Sequence, residues 1–333
     1  MMIPMFERIV SSHVGSFPLK HSRENIIRSF RDMIDIGIDI PPFPQMRSFI
    51  EMYLKPLENA GLIKAIDQRY LTSEKALLNA KIAEIEIEEA TIISKEAEKF
   101  DIQILRAPIT GPFTLASSIY LTKGESLSAT ALARKNIVLT FFKEYVKSIV
   151  KKMVSLNYKF IVIDDPMLAN VIGKRIILYG YSEEEIIDLY NEIFKEAADR
   201  ITGIHVCGRL SPKLVNILAQ ISKLNALNHE FKDNPENMTV FSKELLEKYD
   251  KILSPGIVSS RNLEIESFNE TYGLLRNLIS KFGDRVNIVT ADCGFKALKM
   301  PNISYEKAYS VAIRKLKLIV EAVSKANKEL TPV

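Results

Sequence analysis

Along this chain, short apolar runs of strand character alternate with longer stretches in which apolar residues recur at helical spacing. The pattern predicts strands over 9–13, 37–41, 102–107, 160–164, 201–207, 224–230, 252–258 and 286–293, eight in all. Helical segments fill the gaps, and several carry start signals. Ser73 precedes a predicted helical run through 99, Ser182-Glu183-Glu184-Glu185 is a capping box, and Ser211-Pro212 sets a cap before a first-turn proline. Ser304 opens a final run with Tyr309, Ile313, Leu316 and Ile319 at helical spacing.

Strand and helix alternate from end to end, and no stretch rich in Pro, Gly and Ser marks a boundary. Eight such units in 333 residues predict an α/β fold: one TIM (β/α)8 barrel over 1–333, with an N-terminal extension. A doubly wound open sheet is the main alternative. Hydrophobic residues make up 47% and charged residues 26%, the balance of a globular protein. The net charge of +4 comes from 45 basic and 41 acidic residues interspersed along the chain, so no footprint for nucleic acid is expected. No run approaches the ~18 apolar residues of a membrane span, and Met1-Met2-Ile3-Pro4 lacks the form of a secretion signal, so a cytoplasmic protein is expected.

Only two cysteines and four histidines are present, and two of these six form His205-Val206-Cys207 at the end of a predicted strand. Residues two apart on a strand point to the same side, so the imidazole and thiol can grip one ion. Glu230 closes the sixth predicted strand and Cys293 the eighth. One nitrogen, two sulfurs and one oxygen form a set suited to zinc; a buried, inert cysteine is the competing reading of each thiol. In a barrel these strand ends converge, which favours the metal.

Other candidates lie at the same predicted ends. Asp164 and Asp165 close the fourth strand; Asp164 is expected to face the strand ends and receive an ammonium group, Asp165 to be solvated or to cap. Ser12-His13-Val14-Gly15-Ser16-Phe17-Pro18 follows the first strand, where Gly15 allows close backbone approach and Ser16 is suited to a polar substrate group. His13 and His229 are assigned hydrogen-bonding roles outside the metal shell. Pro108-Ile109-Thr110-Gly111-Pro112-Phe113-Thr114 is expected to be a rigid loop before a helix. Neither a P-loop, a Gly-x-Gly-x-x-Gly turn nor a Gly-x-Ser-x-Gly elbow occurs.

Taken in order, Val14-Gly15-Ser16-Phe17-Pro18, Ile163-Asp164-Asp165-Pro166, His205-Val206-Cys207-Gly208 and Asp292-Cys293-Gly294-Phe295-Lys296 resemble the catalytic C-terminal barrel of cobalamin-independent methionine synthase, in its short archaeal form. This barrel is related to that of uroporphyrinogen decarboxylase. The resemblance implies a methyltransferase of methionine biosynthesis, with zinc (Zn2+) held by His205, Cys207, Glu230 and Cys293, and homocysteine held by Ser16 and Asp164. Glu230, the hardest of the four donors, is then the ligand expected to yield to an incoming sulfur, which gives it a catalytic role beside Asp164.

Two positions depart from the family. The histidine that the long enzymes carry after strand seven as a proton donor is replaced by Ser254-Pro255-Gly256-Ile257-Val258-Ser259-Ser260-Arg261, and the family's second amine-binding carboxylate has no counterpart in Pro41-Pro42-Phe43-Pro44-Gln45, where Gln45 offers a neutral contact. Without that proton donor, the expected methyl donor is methylcobalamin or a corrinoid protein rather than methyl-folate. The alternatives are a zinc methyltransferase for another thiol such as coenzyme M, the catalytic subunit of a split folate-dependent enzyme working with an N-terminal-like partner protein, and a catalytically silent zinc-binding barrel.

Overall fold

The computed structural model describes residues 6–66, 69–82 and 85–330. Met1 to Pro4, where a signal was sought, and Ala83-Glu84 of the predicted helical run lie outside them. The strands are β1 (Val10–Ser11), β2 (Lys64–Ile66), β3 (Arg69–Leu71), β4 (Arg106–Thr110), β5 (Ile119–Tyr120), β6 (Phe160–Asp164), β7 (Ile201–Val206), β8 (Ala226–Glu230), β9 (Ile252–Gly256) and β10 (Ile288–Val289).

A five-stranded sheet runs β4-β6-β7-β8-β9, every pair parallel. β1 pairs in parallel with β10, and parallel bridges join Leu253 to Val286 and Gly256 to Thr290. Two more parallel bridges, Ser12 to Ile40 and Pro42 to Arg106, link β1 through the segment around residue 40 to β4. An inner apolar cluster draws one or two residues from each of these segments except β4: Val10, Ile40, Phe160, Val162, Ile201, Ala226, Ile252 and Ile288, with Ile104, just ahead of β4, packed against it. A larger cluster fills the space between the strands and the surrounding helices.

Four expectations need correction. The second predicted strand is reduced to bridges, because Pro41, Pro42 and Pro44 have no N–H to give a ladder. The third starts at Arg106, level with Phe160 in its partner, and takes in Pro108, Ile109 and Thr110, which were expected to be loop. The predicted run from Ser73 breaks into helices Glu74–Leu78 and Glu88–Ala97. Between them Ile85 and Ile87 are both buried, outside either helix. The small β2-β3-β5 sheet was not foreseen.

The caps follow expectation. Ser182 and Glu185 form a reciprocal box at the start of Glu183–Lys195, and Ser211 accepts from the Leu214 N–H. Ser304 Oγ accepts from the Lys307 N–H at 3.2 Å ahead of the helix Tyr305–Leu330. No helix among the described residues is long and apolar enough to cross a membrane.

Candidate metal centre

The register of the five-stranded sheet sets Thr110, Asp164, His205, Asn228 and Ser254 side by side as one polar row near the C-terminal ends of the strands. Cys207 follows the end of β7 by one residue, and Cys293 follows β10 by four. His205 Nε2 stands 3.0 Å from Cys207 Sγ, which stands 3.0 Å from Cys293 Sγ. The ligand atoms of all three lie within 4.8 Å of one another. The hydrogen bond from Cys207, then the bond and charge of His205, hold the Cys293 thiol well below the usual range, and that same bond pushes Cys207 up.

This donor set fits a zinc ion. Two thiolates at ~2.3 Å from a tetrahedral zinc stand roughly 3.8 Å apart, so the sulfurs need to open by less than an ångström. His205 Nδ1 has no hydrogen-bond partner, which leaves the ring free of the tautomer lock common in metal-ligating imidazoles.

Glu230, the fourth expected ligand, does not join this group. It ends β8, fully buried, and both its oxygens accept from Arg261 Nη2 at 2.8 Å while Asn234 Nδ2 binds Oε2. Its carboxylate is nonetheless near enough to help raise the Cys207 thiol.

Asp164 is brought to the group. Its Oδ1 is buried without a hydrogen-bond partner, 3.9 Å from Arg106 Nη2, and burial pushes its pKa up to about 7 against the opposing charges of His205 and Arg106. Asp165 points elsewhere. Its carboxylate accepts from the Phe113 N–H at 3.0 Å, the Thr114 N–H at 2.8 Å, Thr114 Oγ1 at 2.5 Å and Tyr190 OH at 2.7 Å, and so caps the helix Pro112–Ser117 from a different strand. The capping reading of Asp165 is the one observed.

Ser16 and Gln45 meet at a parallel bridge. Ser16 Oγ accepts from the Lys296 N–H at 3.3 Å, and Ser16 O accepts from the Phe295 N–H at 2.8 Å, which ties the Gly15-Ser16 turn to the Cys293-Gly294 turn. A Cβ on Gly294 would stand 2.0 Å from Ser16 Oγ, so only glycine allows this approach. Gln45 is buried, with Nε2 donating to the Pro108 carbonyl at 3.2 Å. His13, stacked on Phe295, and His229, bound through Nδ1 to the Val206 carbonyl, have pKa values pushed down by burial to about 3 and stand outside the ligand group.

Arg106 was missed. Fully buried beneath the polar row, it donates Nη2 to Asn228 Oδ1 at 2.9 Å and leaves Nε and Nη1 without partners. A lone arginine in the apolar run Ile104-Leu105-Arg106-Ala107 was the available signal. Asn228 in turn donates to the Ser254 carbonyl and Thr290 Oγ1.

No protein-family model matches the chain. It is 25% identical over 347 residues to a methionine synthase of Methanocaldococcus jannaschii, covering 94% of this chain and 98% of that protein. A methionine synthase of Saccharolobus solfataricus is 23% identical over 297 residues, covering 86% of this chain and 81% of that protein. Among solved structures, a B12-independent methionine synthase from Shewanella in complex with selenomethionine superposes with a TM-score of 0.69 at 15% identity, over 97% of this chain and 99% of the other. A methyltransferase from Methanosarcina mazei superposes with a TM-score of 0.63 at 13% identity, over 96% and 95%. The fold is thus that of these proteins, and the likenesses support a methyltransferase. The sequence relatives narrow the kind to that of methionine synthase.

Proposed function

We propose that this chain transfers a methyl group to the thiol of L-homocysteine, giving L-methionine, in a single (β/α)8 barrel that holds a zinc ion. The bridges that link β9 to β10 and β1 to β4 support closure of that barrel. The observation that carries the function is the His205, Cys207 and Cys293 group, its ligand atoms within 4.8 Å of one another, beside Asp164, whose buried Oδ1 has no hydrogen-bond partner. These three residues would hold the zinc, with Glu230 close by but engaged by Arg261 and Asn234. Bound there, zinc supplies a Lewis acid that keeps a substrate thiol deprotonated, and therefore nucleophilic, at neutral pH.

The chain's own side chains account for the rest. Asp164 receives the substrate ammonium, with Arg106 beneath it opposing loss of its charge. Ser16 hydrogen-bonds the substrate carboxylate and Gln45 adds a neutral contact; together they align the sulfur with the incoming methyl group. Arg261, at the end of the segment where the resembled family has its proton donor, is a guanidinium that does not give up a proton at neutral pH. A folate methyl group sits on an amine that leaves poorly unless protonated, whereas a corrinoid cobalt departs with its electron pair. A methylcorrinoid donor fits the site better on that ground.

The test is methyl transfer to homocysteine and, separately, to coenzyme M, each with methylcobalamin and with methyl-folate. The proposal expects methionine from homocysteine and methylcobalamin. Transfer to coenzyme M in preference to homocysteine overturns the acceptor assignment, because that acceptor's sulfonate meets Asp164 and it has no ammonium to offer. Faster transfer from methyl-folate than from methylcobalamin overturns the donor.

A further inference from the structure

Arg261 is more than half exposed, yet its guanidinium is held at a fully buried carboxylate. A buried relay fixes the segment that carries it. Lys315, itself fully buried, binds Glu266 Oε2 at 2.8 Å, and Glu266 Oε1 accepts from the Ser259 N–H at 2.7 Å. Ser259 Oγ donates to Asp233 at 2.9 Å and accepts from the Arg261 N–H at 3.2 Å. The Arg261 backbone is therefore placed by a chain of charged and hydrogen-bonded groups running back to the C-terminal helix. From there Nη2 reaches both oxygens of Glu230, and Asn234 Nδ2 donates to Oε2 of the same carboxylate.

We propose that Arg261 is a positioning residue that withholds Glu230 from the metal, so that His205, Cys207 and Cys293 form a three-ligand centre whose fourth position is left to the substrate sulfur. The inference rests on the zinc reading above and deepens it. Structural zinc sites are closed by four protein ligands, whereas catalytic ones keep a position open. Here the candidate fourth ligand has two donors on it, one of them charged, and a carboxylate held in that way is a poor competitor for the ion.

The test is binding of Zn2+ and Co2+ to the purified full chain, by chelator competition and by the visible spectrum of the Co2+ form. Glu230→Gln alone is expected to change affinity by less than about threefold, and Arg261→Gln to raise it by about tenfold or more by releasing the carboxylate. The double variant returns to the wild-type affinity, and Arg261→Lys lies between wild type and Arg261→Gln. The Co2+ spectrum of Arg261→Gln shifts to that of a site with an added oxygen ligand, a change that a merely structural role for Arg261 does not produce. A large loss of affinity in Glu230→Gln, or an unchanged affinity and spectrum in Arg261→Gln, overturns the clamp. Cys207→Ser separates the two ideas: metal binding that ignores this substitution sinks the zinc centre itself, whereas dependence on Cys207 without dependence on Arg261 sinks the clamp alone.

Discussion

Replacing Gly294 by alanine probes the contact that joins the two substrate-side turns. Gly294 has φ −70° and ψ 156°, an ordinary conformation for any residue, so the substitution carries no backbone strain and tests space alone. The added Cβ meets Ser16 Oγ at 2.0 Å, Ser16 Cβ at 2.9 Å and the Ser16 N at 3.0 Å. Rotation of the hydroxyl relieves only the first of these. The other two require the turn to move by several tenths of an ångström, and overpacking of this kind costs about 1–3 kcal/mol. In a chain of this size that lowers the melting temperature by a few degrees, at roughly 2 °C per kcal/mol. Ser16 leaves its position, so homocysteine binding weakens as well.

Pairing the change with Ser16→Gly removes both side-chain collisions, and the double variant recovers most of the stability without recovering substrate affinity. Calorimetry and homocysteine titration on the four proteins read both quantities. A Gly294→Ala protein as stable as wild type, or a double variant less stable than the two single losses predict together, refutes the steric account.

Asp164→Asn should weaken homocysteine binding by about 2–5 kcal/mol, as loss of a desolvated charge partner does, with metal content unchanged; an unaltered Michaelis constant removes Asp164 from the site. Asp165→Ala orphans the buried Phe113 and Thr114 N–H groups and should cost about 3 kcal/mol in urea unfolding, and a loss under about 1 kcal/mol contradicts its capping role. Lys251, buried with Nζ on the Ile221 and Leu224 carbonyls, has its pKa lowered by burial to about 8 from 10.5. Between those values the unfolded chain binds more protons than the folded one, so the contribution of this residue to stability rises with pH. Unfolding curves from pH 8 to 10 should show that rise lessened in Lys251→Met; parallel pH profiles for the two proteins count against it.

The cap signals were legible because they are local: Ser182 with Glu185, and Ser211 with Pro212, need only their own helix. The centre was legible because His205 and Cys207 share one strand face, and because Cys293 sits at another strand end. Two features were hidden for different reasons. The run after Ser73 ends its first helix at Leu78 and starts the next at Glu88, leaving the buried Ile85 and Ile87 outside both, and apolar spacing alone does not reveal that. The engagement of Glu230 depended on Arg261, 31 residues away, being brought to it by the Lys315–Glu266–Ser259 relay. A carboxylate at a strand end looks the same in sequence whether a cation or a metal holds it, and only the tertiary partners decide.

Zinc K-edge absorption on the zinc-loaded protein, without and then with homocysteine, tests the central claim most directly. The account predicts one nitrogen and two sulfur neighbours from His205, Cys207 and Cys293, and three sulfurs once homocysteine is added. A sulfur count that does not rise with homocysteine, or a zinc environment unchanged in Cys293→Ser, contradicts it.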